Sequence, residues 1–397
     1  MVGVYIHIPF CVRKCGYCDF LSFELDSFRR GEHFCEQKGS PPLKLPLQKG
    51  IDFFSRYGER LLGEIGTFRK DVIFFAGVDT VYVGGGTPTA LPSFVLCEIL
   101  RTALRELPVV SGAEVTVEVN PGTVDFEYLV ALRECGVTRI SFGLQATQDF
   151  LLRELGREHT RSDFVENFRA ARWAGFDNIN VDLMFALHKQ TQEDWRETLR
   201  EIVTLSPEHI SAYSLTPAEN TPLFDGIERG EIVLPGDKID RAMYHEARSF
   251  LAKSGYAHYE ISNFAMPGFE SRHNINCWTL KPYIGFGLGA YSFDGKSRWH
   301  NTEDMGEYLA GQVCHDGRVE SRKNLVNLSC EDLLCEKIIL GLRLAEGVVE
   351  SEFSGVFANE IAKLKKDGLL ESRHNRLCLT PHGLDFANRV FVEFVVS

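Results

Sequence analysis

The sequence predicts an α/β fold in which parallel strands alternate with helices. Six short apolar runs separated by amphipathic stretches are predicted as strands: residues 2–8, 80–83, 114–119, 139–142, 178–184 and 209–213. After the second run, apolar side chains recur from Leu96 to Leu107 at the period of an α-helix. Such alternation implies right-handed crossovers, which leaves a barrel, a partial barrel or a doubly wound sheet. In each of these folds, functional residues gather at the carboxyl ends of the strands.

The rest of the chain predicts two further regions beside this main domain, which we place at residues 1–220. Residues 221–328 are less regular and richer in glycine and aromatic residues, and we interpret them as a connecting region. Residues 329–397 predict a helix, a small hairpin and a second helix that Thr380 caps, with Pro381 at its first position. This order resembles a winged-helix module, which we expect to serve packing and not DNA binding.

Composition and charge argue against several classes of protein. The 397 residues exceed what one compact core usually holds, and 44% are hydrophobic, as in ordinary globular proteins. The net charge of −12 argues against nucleic acid as the main partner. No apolar run approaches the roughly 18 residues of a spanning helix, and the first residues lack the pattern of a signal peptide. We therefore expect a cytoplasmic protein without a transmembrane segment.

Three cysteines carry the strongest chemical signal. Cys11, Cys15 and Cys18 fall within eight residues, directly after the first predicted strand. Thiolates in a reducing compartment bind zinc or iron–sulfur clusters. A structural zinc site needs four ligands, and no second cysteine pair is present, although Cys35 or His7 could complete one. Three ligands without a fourth favour a [4Fe–4S] cluster with one iron open to a substrate, and a zinc-stapled interaction protein is the alternative.

Glycines and polar side chains follow the next predicted strands. Gly84 to Gly86 come directly after the second strand, where glycine lets the backbone approach a ligand closely and offer N–H groups to an anion. Glu118, Gln145 and Asp182 lie at or near the ends of the third, fourth and fifth strands. They predict a ring of acceptors that faces the cysteine loop and suits a cationic ligand.

The Cys-x₃-Cys-x₂-Cys spacing, preceded by Tyr-Ile-His-Ile-Pro-Phe at residues 5–10, resembles the radical S-adenosylmethionine family. The resemblance extends from Tyr5 to about Val390. It points to the branch that contains oxygen-independent coproporphyrinogen III dehydrogenase and a related heme chaperone. It implies a partial (β/α)₆ TIM-like barrel, with a small helical, winged-helix-like C-terminal domain.

The same resemblance implies the cofactors and their ligands. Cys11, Cys15 and Cys18 would hold a [4Fe–4S] cluster, whose electron would cleave the sulfonium bond of S-adenosylmethionine. Nine positions match those that line the S-adenosylmethionine pocket in this family: Tyr5, Tyr17, Gly85, Gly86, Thr87, Glu118, Gln145, Arg157 and Asp182.

Two features favour the chaperone over the dehydrogenase. Asp19 and Phe20 follow the third cysteine as in the chaperone, where the dehydrogenase has Gly-Cys. The chaperone also has a His-Asn-x-x-Tyr-Trp motif linked to heme, and residues 273–278 here read His-Asn-Ile-Asn-Cys-Trp.

The likeness of this motif implies that His273, Asn274 and Trp278 contact heme, with His273 able to ligate the iron and Trp278 able to stack on the porphyrin. Cys277, which replaces the tyrosine, could ligate heme or fill space. The alternative is that His273 and Asn274 merely satisfy buried hydrogen bonds.

The predicted function is that of a heme chaperone, which would deliver heme to an acceptor protein. Its other expected partner is an electron donor such as a flavodoxin or ferredoxin. The alternative is a dehydrogenase that decarboxylates coproporphyrinogen III by radical chemistry, so whether the chain is an enzyme stays open at this point.

Overall fold

The computed structural model describes residues 1–25, 50–68, 77–311 and 322–395. Its strands, in chain order, are β1 Val2–Ile8, β2 Phe10–Cys11, β3 Phe23–Glu24, β4 Val78–Gly85, β5 Val109–Val119, β6 Arg139–Gln145, β7 Ile179–Phe185, β8 His209–Ser214, β9 Ala257–Glu260, β10 Asn263–Ala265, β11 Tyr283–Phe286, β12 Tyr291–Phe293, β13 Ser297–Asn301, β14 Arg322–Asn327, β15 Val348–Val349, β16 Leu370–Arg373 and β17 Arg376–Leu379. Its α-helices are α1 Gly50–Phe68, α2 Ser93–Glu106, α3 Phe126–Glu134, α4 Asp149–Glu154, α5 Arg161–Trp173, α6 Gln192–Leu205, α7 Pro222–Glu228, α8 Asp237–Lys253, α9 Arg272–Trp278, α10 Met305–Ala310, α11 Cys330–Gly341, α12 Ala358–Lys366, α13 Pro381–Asp385 and α14 Ala387–Val392.

The six predicted strands are β1, β4, β5, β6, β7 and β8, and they lie side by side in that order with every pairing parallel. Strands of this kind are buried on both faces, and β6 is buried at every residue. The predicted apolar stripe of α2 packs on the sheet through residues such as Ile99 and Leu100, both nearly inaccessible to solvent. Each such side chain contributes roughly 1.5–3 kcal/mol by leaving water. The α/β prediction is confirmed.

The sheet does not close on itself within the described residues. One neighbour of β1 is β4 and the other is β11, whereas β8 pairs with β7 and β10. The six parallel strands therefore form a partial barrel. Strands β11 to β14 extend the sheet beyond β1, and β10 and β9 extend it beyond β8, so that it has twelve strands in the described part of the chain.

The C-terminal helices surround a small three-stranded sheet of order β15-β17-β16. Ile338, Phe353 and Leu364 form part of a separate apolar core there. Thr380 accepts a hydrogen bond from the backbone of Gly383 and caps α13, as the sequence predicts. The proposed domain boundaries after residues 220 and 328 stay predictions.

None of the helices in the described ranges is both long enough and apolar enough to cross a bilayer.

Candidate functional site

The loop that carries the three cysteines begins where β1 ends. Cys11 is buried, and Cys15 and Cys18 are half-buried. Two backbone hydrogen bonds of Gly16 fix the loop: its N–H donates to the carbonyl of Leu155 at 3.4 Å, and its carbonyl accepts from the N–H of Leu223 at 2.9 Å. The loop is thus anchored to the segment after α4 and to the start of α7, which hold it over the carboxyl ends of the barrel strands.

A cavity of about 470 Å³ lies between this loop and the strand ends. All three cysteines line it. So do eight of the nine residues predicted for the S-adenosylmethionine pocket: Tyr17, Gly85, Gly86, Thr87, Glu118, Gln145, Arg157 and Asp182. Its volume is typical of a small-molecule site. Residues from strands far apart in the sequence therefore meet at one place, as the fold class predicts.

The glycine run fits tightly against the strand that precedes the cysteines. Gly85 has a φ of 111°, and a Cβ added there would lie 2.3 Å from Nδ1 of His7. A Cβ on Gly86 would lie 2.7 Å from the carbonyl oxygen of Phe10. A larger residue at Gly85 would displace the His7 ring, and one at Gly86 would displace the backbone near Phe10.

The backbone N–H groups of the glycine run are committed to protein acceptors. Gly85 donates to the carboxylate of Glu118 at 3.2 Å, Gly86 to the carbonyl of Ile8 at 2.9 Å, and Thr87 to the carbonyl of Phe10 at 2.6 Å. These three N–H groups are therefore not free to bind an anion. Instead, these hydrogen bonds connect the end of β4 to the start of the cysteine loop.

A chain of side-chain hydrogen bonds links the cysteine loop to the rest of the cavity wall. Thr87 contacts Sγ of Cys11 through Oγ1 at 3.6 Å, and Nδ2 of Asn120 donates to Oγ1 of Thr87 at 2.8 Å. Arg157 donates from Nη1 to Asn120 at 2.9 Å and from Nη2 to the hydroxyl of Tyr17 at 2.6 Å. Nε of Arg157 is buried and has no acceptor among the described residues.

Two half-buried carboxyl groups provide the predicted acceptors. Glu118 accepts hydrogen bonds from the Tyr82 hydroxyl at 2.8 Å and from the Gly85 N–H, and burial raises its pKa to about 7. Asp182 accepts from Nδ2 of Asn180 at 2.7 Å, and burial raises its pKa as well. A cationic ligand would supply the positive charge that these groups lack.

Gln145 closes the ring of acceptors at the end of β6. Its backbone is left-handed with a φ of 76°, and its Oε1 accepts a 2.8 Å hydrogen bond from the hydroxyl of Tyr213. Tyr213 also lines the cavity, at the end of β8.

Tyr5 lies next to the cavity wall and is not among the residues that line the cavity. Its ring stacks on Tyr82 with centroids 6.4 Å apart, and its hydroxyl shares a 2.9 Å hydrogen bond with Nδ1 of His7. His7 also bonds through Nε2 to the carbonyl of Leu21 at 2.9 Å, and burial lowers its pKa to about 4. The neutral imidazole therefore donates to Leu21 and accepts from Tyr5, which leaves neither nitrogen free for a metal.

The positions of the candidate ligands can be compared with those that a zinc site needs. A tetrahedral zinc holds each thiolate at about 2.3 Å, so its ligands crowd around one point. Within the described ranges, no three His, Cys, Asp or Glu side chains lie close enough to hold one ion in this way. Cys35, the other candidate fourth ligand, lies outside the described residues. The three thiols beside a cavity suit a cluster better, because each thiolate binds a different iron.

The predicted heme residues lie on α9, away from the 470 Å³ cavity. His273 is buried and its Nδ1 shares a 2.9 Å hydrogen bond with Oγ1 of Thr80, while its ring stacks on Tyr82 at 5.1 Å. Burial lowers the pKa of His273 to about 4. The backbone N–H of Asn274 donates to the hydroxyl of Ser271, which caps the helix.

Trp278 lines a second cavity of about 390 Å³, which His273 does not line. Cys277 lines the same cavity. The guanidinium carbon of Arg343 lies 4.3 Å from the centroid of the Trp278 ring. The structure thus separates Trp278 from His273, although both belong to one short motif.

Sequence reasoning did not assign a role to several residues of the first cavity. Asn120 bridges Thr87 and Arg157, and Arg13 and Lys14 place two positive charges beside the cysteines. The position of Asn120 directly after a strand was the available signal. For Arg13 and Lys14, the only available signal was their position within the cysteine loop.

Comparison with known proteins agrees with this geometry. The model of the radical SAM superfamily matches residues 5–202, and that of the HemN C-terminal domain matches residues 328–386. The heme chaperone HemW of Escherichia coli is 35% identical, over 100% of this chain and 98% of its own length. HemW of Lactococcus lactis and of Bacillus subtilis are each 32% identical over 100% of this chain, and over 97% and 99% of their own lengths.

A solved structure, that of coproporphyrinogen III oxidase (HemN) from Escherichia coli, shares the fold with a TM-score of 0.78. The match covers 99% of this chain and 89% of that chain at 24% identity. The full-length likeness and the three-cysteine loop at the mouth of a partial barrel lead to one assignment: the chain belongs to the HemW family of the radical SAM superfamily.

Proposed function

We propose that this protein is a heme chaperone, which binds heme and delivers it to an acceptor protein. The observation that carries the proposal is the match to HemW heme chaperones along the whole chain, together with a three-cysteine cavity of the kind their superfamily requires. A [4Fe–4S] cluster and S-adenosylmethionine are its cofactors, and heme is its cargo.

The residues present fit these cofactors. Cys11, Cys15 and Cys18 would hold the cluster, and the eight lining residues named above would surround S-adenosylmethionine. Together the two cofactors supply one-electron chemistry when bound. The protein's part is to orient the ligand through Arg157 and the carboxyl acceptors and to shield it from water.

An electron donor and a location follow from the same proposal. Arg13 and Lys14 are exposed beside the cysteines, and Asp19 is exposed in the same loop. The side chains of Arg13 and Lys14 would attract an acidic electron carrier such as a flavodoxin or ferredoxin to the site. We place the protein in the cytoplasm, where thiols stay reduced.

The proposal is tested by titration of the anaerobically reconstituted protein with hemin. We expect a saturable Soret change with one heme per chain, and an electron paramagnetic resonance signal of the reduced cluster that changes when S-adenosylmethionine is added. Absence of saturable heme binding would refute the chaperone function. One zinc per chain with no sulfide would favour the zinc-stapled alternative.

An assay with coproporphyrinogen III separates the chaperone from the dehydrogenase, whose fold is shared. We expect no protoporphyrinogen from protein that demonstrably binds S-adenosylmethionine and contains the cluster. Formation of that product would assign the chain to the dehydrogenase instead.

A further inference from the structure

The second cavity lies where three parts of the fold meet. It is bounded by the end of α9, by the strands β11 to β13 that extend the barrel sheet, and by α11 at the start of the C-terminal helices. Its volume of about 390 Å³ falls within the range of small-molecule sites. We call it the α9–α11 cavity.

Most of its wall is apolar or aromatic. Trp278, Tyr283 and Tyr291 present rings to it, and Ile339 and Leu340 of α11 provide the aliphatic side. Tyr291 is 49% exposed, and its ring stacks on His300 with centroids 4.7 Å apart. Such a wall favours a flat, largely apolar ligand that can stack on rings.

Two positively charged side chains, Lys281 and Arg298, line the same cavity. Nζ of Lys281 donates to the side-chain carbonyl of Asn276, a neutral acceptor, at 2.9 Å. Arg298 forms a two-point ion pair with Glu336, yet its buried Nε has no acceptor among the described residues. The buried Nε1 of Trp278 also has no acceptor there. Lys281, whose partner is neutral, therefore leaves a positive charge at the cavity that suits a ligand carboxylate.

One lining side chain is a soft ligand for iron. Cys277 is a free thiol in the last turn of α9, and burial raises its pKa to about 11, so the thiol is protonated at neutral pH. His273 lies one turn earlier, but its ring is packed against Thr80 and Tyr82 in the barrel interior. A ligand in the cavity meets Cys277, which lines it, whereas His273 does not line the cavity.

We propose that heme binds in the α9–α11 cavity, stacked beside Trp278, with the sulfur of Cys277 as its axial iron ligand. The inference rests on the proposed function, since it assigns the site of the same cargo. On binding, the Cys277 thiol releases its proton to solvent and the sulfur donates an electron pair to ferric iron, with no change of oxidation state. The propionates of heme lie toward Lys281 and Arg298.

The ligand is tested in the cluster-loaded protein with hemin, using difference spectra against the same protein without hemin. The ferric complex of the wild type should show the optical and electron paramagnetic resonance signature of thiolate ligation. Cys277→Ala and the volume-conserving Cys277→Ser should lose that signature and bind hemin at least tenfold more weakly. Cys330→Ala, which removes an exposed thiol outside the cavity, should match the wild type.

A second pair of variants tests whether His273 is the iron ligand instead of Cys277 and whether heme occupies this cavity. His273→Gln should keep the thiolate signature, and Ile339→Trp should block hemin binding by filling the cavity while the circular dichroism spectrum is retained. A wild-type spectrum for Cys277→Ala, loss of the signal in His273→Gln alone, or unaltered binding by Ile339→Trp would each overturn the inference. If the wild type itself binds no hemin, the proposed function fails, and not merely the placement of its site.

Discussion

Nη2 of Arg157 lies 2.6 Å from the hydroxyl of Tyr17, and this hydrogen bond joins the cysteine loop to the segment between α4 and α5. Arg157 also donates to Asn120, which is bonded to Thr87. One guanidinium thus fixes three separate stretches of the cavity wall. Because the pair is partly shielded from solvent, the bond is worth more than a fully exposed one.

Replacement of Arg157 by Met should weaken S-adenosylmethionine binding by tenfold or more, because loss of these charged hydrogen bonds costs about 1.5–3 kcal/mol. Iron and sulfide content should stay close to that of the wild type, since the three thiols remain. The measurement is the S-adenosylmethionine-dependent change in the spectrum of the reduced cluster. Arg153→Met, on the exposed face of α4, is the matched control. Equal affinity in the Arg157 variant and the wild type would contradict the positioning role.

Gly86→Ala should lower cluster content after reconstitution by more than half. Its Cβ would lie 2.7 Å from the Phe10 carbonyl, so β2 and the cysteine loop must shift, at a cost of about 1–3 kcal/mol. Gly63→Ala in α1 is the control, because a Cβ there meets nothing within 4 Å and alanine favours a helix. The assay is iron and sulfide per chain, and full cluster content in Gly86→Ala would show that the close contact is dispensable.

The Glu118 carboxyl should titrate near pH 7, above its ordinary value of 4.5. The folded protein holds this proton after the unfolded chain has lost it. Its contribution to stability is therefore fully present below about pH 4.5 and is lost as the pH rises through about 7, on the order of 3 kcal/mol in total. Melting temperatures of the cofactor-free wild type should thus fall relative to Glu118→Gln between pH 5 and pH 8.

Infrared difference spectra between the wild type and Glu118→Gln give an independent reading of this titration. A protonated carboxyl band should disappear with a midpoint near pH 7. A midpoint near 4.5 would mean that the side chain is solvated, and the predicted dependence of stability on pH would then be absent.

The six barrel strands could be predicted because each is a short apolar run followed by glycine or polar residues. The predicted run at residues 139–142 lies within β6, and that at residues 209–213 lies within β8. Strands β11 to β14 could not be predicted in this way. They have three to six residues, and β11 joins the barrel only through its pairing with β1, a segment far away in the chain.

The residues that line the first cavity could be predicted better from the sequence than the hydrogen bonds that they form. Glu118, Gln145 and Asp182 were placed correctly because the carboxyl ends of parallel strands meet at one edge. The use of the Gly86 N–H by Ile8 depends on how two strand ends approach each other, which the local sequence does not encode. In the same way, a six-residue motif could not reveal that His273 and Trp278 face different surroundings.

The pairing of β11 with β1 has a consequence for the shortest chain that can keep the cluster intact. If the protein were cut after residue 220, β1 would lose this partner and become an unprotected edge, with unpaired N–H and C=O groups in the strand that leads into the cysteine loop. Exposed edges recruit strands from other molecules, and thiols brought together in that way are prone to oxidation. The residues after the barrel therefore protect the edge of β1, the strand that precedes the cysteine loop, although none of them belongs to that loop.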